Sequence, residues 1–203
     1  MNRFAVWIAV LMIGLAMVNG VARSLAAEFH FKQETDVSLI FQTFGSMGRF
    51  NVMVSPLVRQ QISLSLKGVE PVDAMNQVAK MCNLAVVAVK LAQGSTETYL
   101  VVPQGKTVSP KLPAGVESSS VADLVFKQHV PVSQIVSTVA VLGRFNALVD
   151  PTVRVSMRLA LRGVRPLEAV FLIAALLGLT VEEARSGNSV TYILKPAVAT
   201  PQR

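Results

Sequence analysis

Two hydrophobic periods alternate along the chain. Val37, Ile40, Phe41, Phe44 and Met47 fall at the three-and-four spacing of one helix face. Asp36 stands where an N-cap belongs, and Gly48 where a helix gives way. The period then drops to two. Phe50, Val52 and Val54 alternate as a short strand that stops at Pro56. Ile62, Leu64 and Leu66 alternate as another, with Ser63 and Ser65 on its opposite face. Gly68 turns the chain, and Pro71 opens a second helix in the first-turn position proline tolerates. This helix runs to about Cys82. "LAVVAVKLA" and "TETYLVVP" follow as a hairpin around Gln93-Gly94-Ser95. With a short strand in "FHFKQ" at its start, the unit reads β-α-β-β-α-β-β.

The same pattern returns 95 residues later. Between Phe31–Leu84 and Phe126–Leu179, 23 of 54 aligned positions are identical, without a gap. The shared words are "FKQ" (Phe31, Phe126), "GRFN" (Gly48, Gly143), Val-Arg (Val58, Val153) and "G-V-x-P" (Gly68, Gly163). In the second copy Ile135, Val136, Val139 and Leu142 mark the first helix, entered at Pro131-Val132. Met157, Leu159 and Leu161 mark a strand, and "LTVEEA" and "SVTYILKP" a hairpin around Ser186-Gly187-Asn188. Between the copies, "QGKTVSPKLPAGVESSS" has no hydrophobic period and reads as a linker. The expected organisation is residues 28–103 as repeat 1, 104–120 as linker, 121–196 as repeat 2 and 197–203 as a tail. The fold class is α+β, two tandem small sandwich units expected to fold separately, with few contacts crossing the linker.

The copies differ on their second helices. At outer positions the first copy carries Asn76, Gln77 and Lys80, and the second Phe171, Leu172 and Ala175. The expected inner positions stay apolar in both: Ala74, Val78 and Met81 against Ala169, Ile173 and Leu176. "AVFLIAALL" is therefore apolar all round, and such a helix is buried on more than one side. Either the first copy covers the outer side, or a partner or second molecule does. In the latter case Phe171, Leu172 and Ala175 form a docking face.

The helix entry "V-P-V-S-Q-I-V" (Val130–Val136), the "G-R-F-N" that leads into "V-D-P-T-V" (Val149–Val153), and "L-R-G-V-R-P-L-E-A-V" (Leu161–Val170) together resemble the secretin and TonB N-terminal short domain family. Copy one matches more loosely, with Ser55 where that family has Asp. The resemblance spans both repeats and rests on turn and core signals. It implies a periplasmic domain that docks other proteins: a secretin, an inner-membrane platform or an anti-sigma type of protein. Residues 1–203 hold neither a secretin core nor a receptor barrel, so the chain is not expected to be the channel or the receptor itself. The implied role is an adaptor of an outer-membrane secretion, type IV pilus or signalling system.

Met1 to Ala27 fits export. Arg3 precedes an apolar run from Ala5 to Val18, and small residues precede Glu28. Residues 1–27 read as a cleaved signal peptide, the run being shorter than the ~20 residues of a spanning helix. An uncleaved anchor is the alternative.

The chain has a net charge of +7; the first 27 residues hold two arginines and no acid, which leaves +5 for the rest. Such a charge suits nucleic acid or anionic lipid. The cations are scattered, though, without a basic block or an aromatic platform, so no nucleic acid is expected. A nucleic-acid or envelope-surface binder stands as the alternative function.

The single cysteine, Cys82, aligns with Leu177 and reads as a core residue. His30 and His129 do not align, and neither has ligands at metal spacing. No enzyme, cofactor, metal or small-molecule substrate is expected. The polar residues that both copies keep are Arg49/Arg144 and Arg59/Arg154. Either they contact an acidic partner, or Arg49 and Arg144 simply suit a helix C-terminus; the second reading is favoured.

Overall fold

The computed structural model describes residues 27–110, 112, 120–187 and 189–197. The expected signal peptide apart from Ala27, most of the linker's second half and all but the first residue of the tail lie outside them.

The protein is mixed α+β. Repeat 1 runs β1 (Ala27–Asp36), α1 (Val37–Gly48), β2 (Asn51–Val54), β3 (Gln61–Val69), α2 (Pro71–Met81), β4 (Leu84–Val89) and β5 (Thr98–Pro103). Repeat 2 runs β6 (Ala122–Pro131), α3 (Val132–Gly143), β7 (Asn146–Val149), β8 (Ser156–Val164), α4 (Pro166–Leu177), β9 (Leu179–Ser186) and β10 (Ser189–Pro196). Each repeat has a two-stranded antiparallel sheet, β1-β3 or β6-β8. Each also has a three-stranded sheet in the order β2-β5-β4 or β7-β10-β9. In the latter the first pair is parallel and the hairpin antiparallel.

Local chemistry accounts for the helix ends. The Asp36 carboxylate accepts the Ser38 amide at 2.8 Å and caps α1. Gly48, expected just past the helix, is instead its last residue; the left-handed cap falls to Arg49 (φ 58°), and in repeat 2 to Arg144 (φ 56°). Gly48 and Gly143 answer to a close approach. A Cβ there would lie 2.1 Å and 2.4 Å from the rings of Phe50 and Phe145, with Pro71 or Pro166 behind. "GRF" thus encodes a helix end folded back on an aromatic ring.

Met47 and Leu142, expected inward, stand half exposed. The buried stripe of α1 passes through Ile40, Phe41, Phe44 and Gly45, which leaves Met47 to one side. Met81 is likewise not inward but 65 % exposed, because the stripe of α2 passes through Val78 and Ala79 to Cys82.

Repeat 1 has its own core of Phe29, Ile40, Phe41, Phe44, Met75, Val78 and Val101. The core of repeat 2 does not stop at its own boundary. Ile135, Leu161, Leu172 and Leu176 form one continuous cluster with Met53, Val89, Leu100 and Val102 of repeat 1 and Val108 beyond it. The expectation that few contacts cross between the copies is therefore corrected: the two share a core. Described residues at the start of the linker join it. Val108 is buried, and Lys106 Nζ donates to the Leu176 carbonyl at 3.4 Å.

Candidate interaction surface

The junction between the repeats is asymmetric, and aligned positions map it. The three-stranded sheet of repeat 1 is apolar on both faces. Val52, Tyr99, Val101, Leu84 and Val86 face their own helices. Met53, Leu100, Val102, Ala85, Val87 and Val89, on the opposite face by strand alternation, join the cluster of repeat 2. Their counterparts on the sheet of repeat 2 are Leu148, Ile193, Lys195, Thr180, Glu182 and Ala184. Met53 is 2 % exposed and Leu148 60 %. The helices show the converse. Asp73, Gln77, Lys80 and Met81 are exposed in α2, whereas Glu168, Leu172 and Leu176 of α4 are fully buried and Ala175 half-buried. One copy's sheet therefore sits on the other copy's second helix.

Polar groups lock this arrangement. The Asn51 amide forms a reciprocal pair with the backbone of Arg162: Nδ2 donates to the carbonyl at 2.9 Å, and Oδ1 accepts the amide at 2.8 Å. Backbone continues the contact, with the Thr96 amide donating to the Gly163 carbonyl at 2.8 Å. A Cβ on Gly163 would come within 2.5 Å of the Thr96 hydroxyl.

Glu168 is the polar centre. Its carboxylate accepts the Ala92 amide at 2.8 Å, the Ser95 hydroxyl at 2.7 Å and the Arg165 amide at 3.1 Å. The Arg165 guanidinium lies 3.8 Å from that carboxylate and donates to Ser95 Oγ and the Gln93 carbonyl, each at 2.8 Å. A fully buried carboxylate is tolerable only with such a set of donors.

The candidate docking residues fall in three places. Leu172 is fully buried in the cluster that the two repeats share, so it is not exposed for docking in this fold. Phe171 packs on its own repeat, its ring edge-on to Tyr192 at 5.8 Å, and Tyr192 stands likewise against Phe145. Ala175 is half-buried beside them.

Arg144 and Arg154 are exposed, as are Arg49 and Arg59. Among the described residues none of the four makes an ion pair. The Arg49 amide donates to the Gly45 carbonyl and the Arg144 amide to those of Ala140 and Val141. The backbone thus satisfies each helix end, and the two side chains stand outward.

Comparison with protein-family models, curated proteins and solved structures returned no match. The surface is thus read from its own geometry. Among the described residues no group of three or more His, Cys, Asp or Glu is placed to hold a metal ion. No helix among them is long and apolar enough to cross a membrane.

The residues that the sequence analysis missed are Asn51, Arg165 and Glu168. Asn51 belongs to the shared word "GRFN", yet it is buried while its counterpart Asn146 is exposed. One signal was available. "LAVVAV" and "YLVV" are continuously apolar, the mark of strands buried on both faces, where "LTVEEA" and "YILK" break the run.

Proposed function

We propose that the protein is a periplasmic protein–protein interaction module of two units of the secretin and TonB N-terminal short domain type, acting as an adaptor of an outer-membrane secretion, type IV pilus or signalling system. The observation that carries this reading is the junction itself. The unit has a sheet face and a helix face that already recognise another copy of the same unit, so docking is what its surfaces do. The arginines support it. Arg49 and Arg144 hold a left-handed backbone that costs a non-glycine residue about 1 kcal/mol, in both copies and without an ion pair among the described residues. With Arg59 and Arg154 they offer paired cations to an acidic surface.

The test is fractionation followed by site-specific photo-crosslinking from positions 144 and 154 in living cells. The expected result is periplasmic protein joined to a secretin, a platform protein or an anti-sigma type of protein, lost when Arg144 and Arg154 become Glu. Protein confined to the cytoplasm would overturn the reading.

A further inference from the structure

The intrachain junction joins two different surfaces, so among the described residues each molecule ends with one of each unused. Repeat 1 presents the α2 face, and repeat 2 presents the outer face of β7-β10-β9. From these we infer that the protein self-associates head to tail, the sheet of repeat 2 in one molecule seating on α2 of repeat 1 in the next.

Four observations bear on this. First, the free helix face is a formed concavity. A groove of about 770 Å³ runs along α2, lined by Glu70, Asp73, Asn76, Gln77, Lys80 and Val86. It occupies the place on repeat 1 where repeat 2 receives its neighbour's hairpin.

Second, both free surfaces keep a large apolar side chain at a position that the internal junction buries. Met81 is 65 % exposed where Leu176 is fully covered, and Leu148 is 60 % exposed where Met53 is covered. Ile193, half-buried, stands where Leu100 does.

Third, the charges match across the gap. In the internal junction the hairpin tip meets Arg165 and Glu168. The aligned residues on the free helix are Glu70 and Asp73, both exposed acids, and the free hairpin brings Arg185 beside its tip, where its partner is the exposed Glu183 at 3.3 Å, a pair that the acids of α2 would compete for.

Fourth, the polar replacements set the strength. Glu182 and Lys195, paired with each other, stand where Val87 and Val102 do. Asn76 and Gln77 stand where Phe171 and Leu172 do. A contact of this composition is reversible, concentration-dependent and weakened by salt. It closes into a ring if the rotation per molecule allows and otherwise extends.

Because the proposal rests on the repeats being docking units, the experiment must separate the two. Sedimentation velocity of the purified protein at low salt is expected to show average mass rising with concentration. Met81→Glu and Leu148→Arg should each weaken association at least about tenfold while leaving the thermal midpoint unchanged, since both positions are exposed. Mixed together, the two variants should form one-to-one dimers and nothing larger, because each retains the surface the other has lost. Should either variant melt early, Asp73→Arg and Arg185→Glu replace them in the same mixing design. Protein that stays monomeric at every concentration, or association that none of these substitutions alters, overturns the proposal. If that monomer still crosslinks to an envelope protein, self-association alone has failed.

Discussion

At the residue scale, the sharpest contrast is between aligned carboxylates. Glu168 is buried with three donors, while Asp73 is exposed. Glu168→Ala would strand the Arg165 guanidinium and the Ala92 and Ser95 donors, and is expected to cost about 3–5 kcal/mol in urea unfolding. Asp73→Ala should stay within about 0.5 kcal/mol. Equal effects would mean that the junction's polar centre does not carry its weight.

Two titrations report on packing. Burial pushes the Cys82 thiol above its ordinary value, and the residue is hardly exposed. Alkylation at pH 8 should therefore be slow in the folded protein and fast once it unfolds. The chain's two tyrosines, Tyr99 and Tyr192, are both raised, chiefly by burial. Tyr99, whose hydroxyl donates to Glu97 at 2.5 Å, is pushed up to about 12. A phenol with a raised folded value stabilises the fold fully below the unfolded value near 10, and that contribution is lost as pH rises through about 12. Phenolate absorbance should accordingly appear later in the native protein than in urea. Coincident curves would place the rings in water.

At the element scale, the decisive feature is which strands have two buried faces. Val87→Glu makes repeat 1 resemble repeat 2 at one position, where Glu182 stands. It sets a charge against the half-buried edge of the shared core, where Val87 packs, and is expected to cost about 1–3 kcal/mol. Glu182→Val on the exposed counterpart should not destabilise the protein.

Much of this level was legible beforehand. Helix and strand order followed from period and punctuation, and the α4 sequence declared that it needed cover on a second side. The Met47 and Met81 expectations failed because the helix stripes pass through small residues, Gly45 or Ala79 and Cys82, which carry little hydrophobic signal. The Arg caps were illegible because left-handed caps favour glycine, and here glycine was needed one residue earlier for a ring.

For the whole molecule, the sequence pointed to two beads on a string. Composition read residues 104–120 as a linker but could not reveal the docking of the beads. That depends on Asn51, Glu168 and a sheet face whose partners lie 73 to 111 residues away. Limited proteolysis between Gln104 and Ser120 is thus expected to give two fragments that co-elute on gel filtration and part only in denaturant. Fragments that separate freely would restore the independent-bead picture.

The central claim is that the sheet of one repeat on the helix of the other makes a single cooperative body. Scanning calorimetry tests it most directly. The expected result is one transition whose calorimetric and van't Hoff enthalpies agree, resolved into two by Val87→Glu. Two well-separated transitions in the unaltered protein would contradict it.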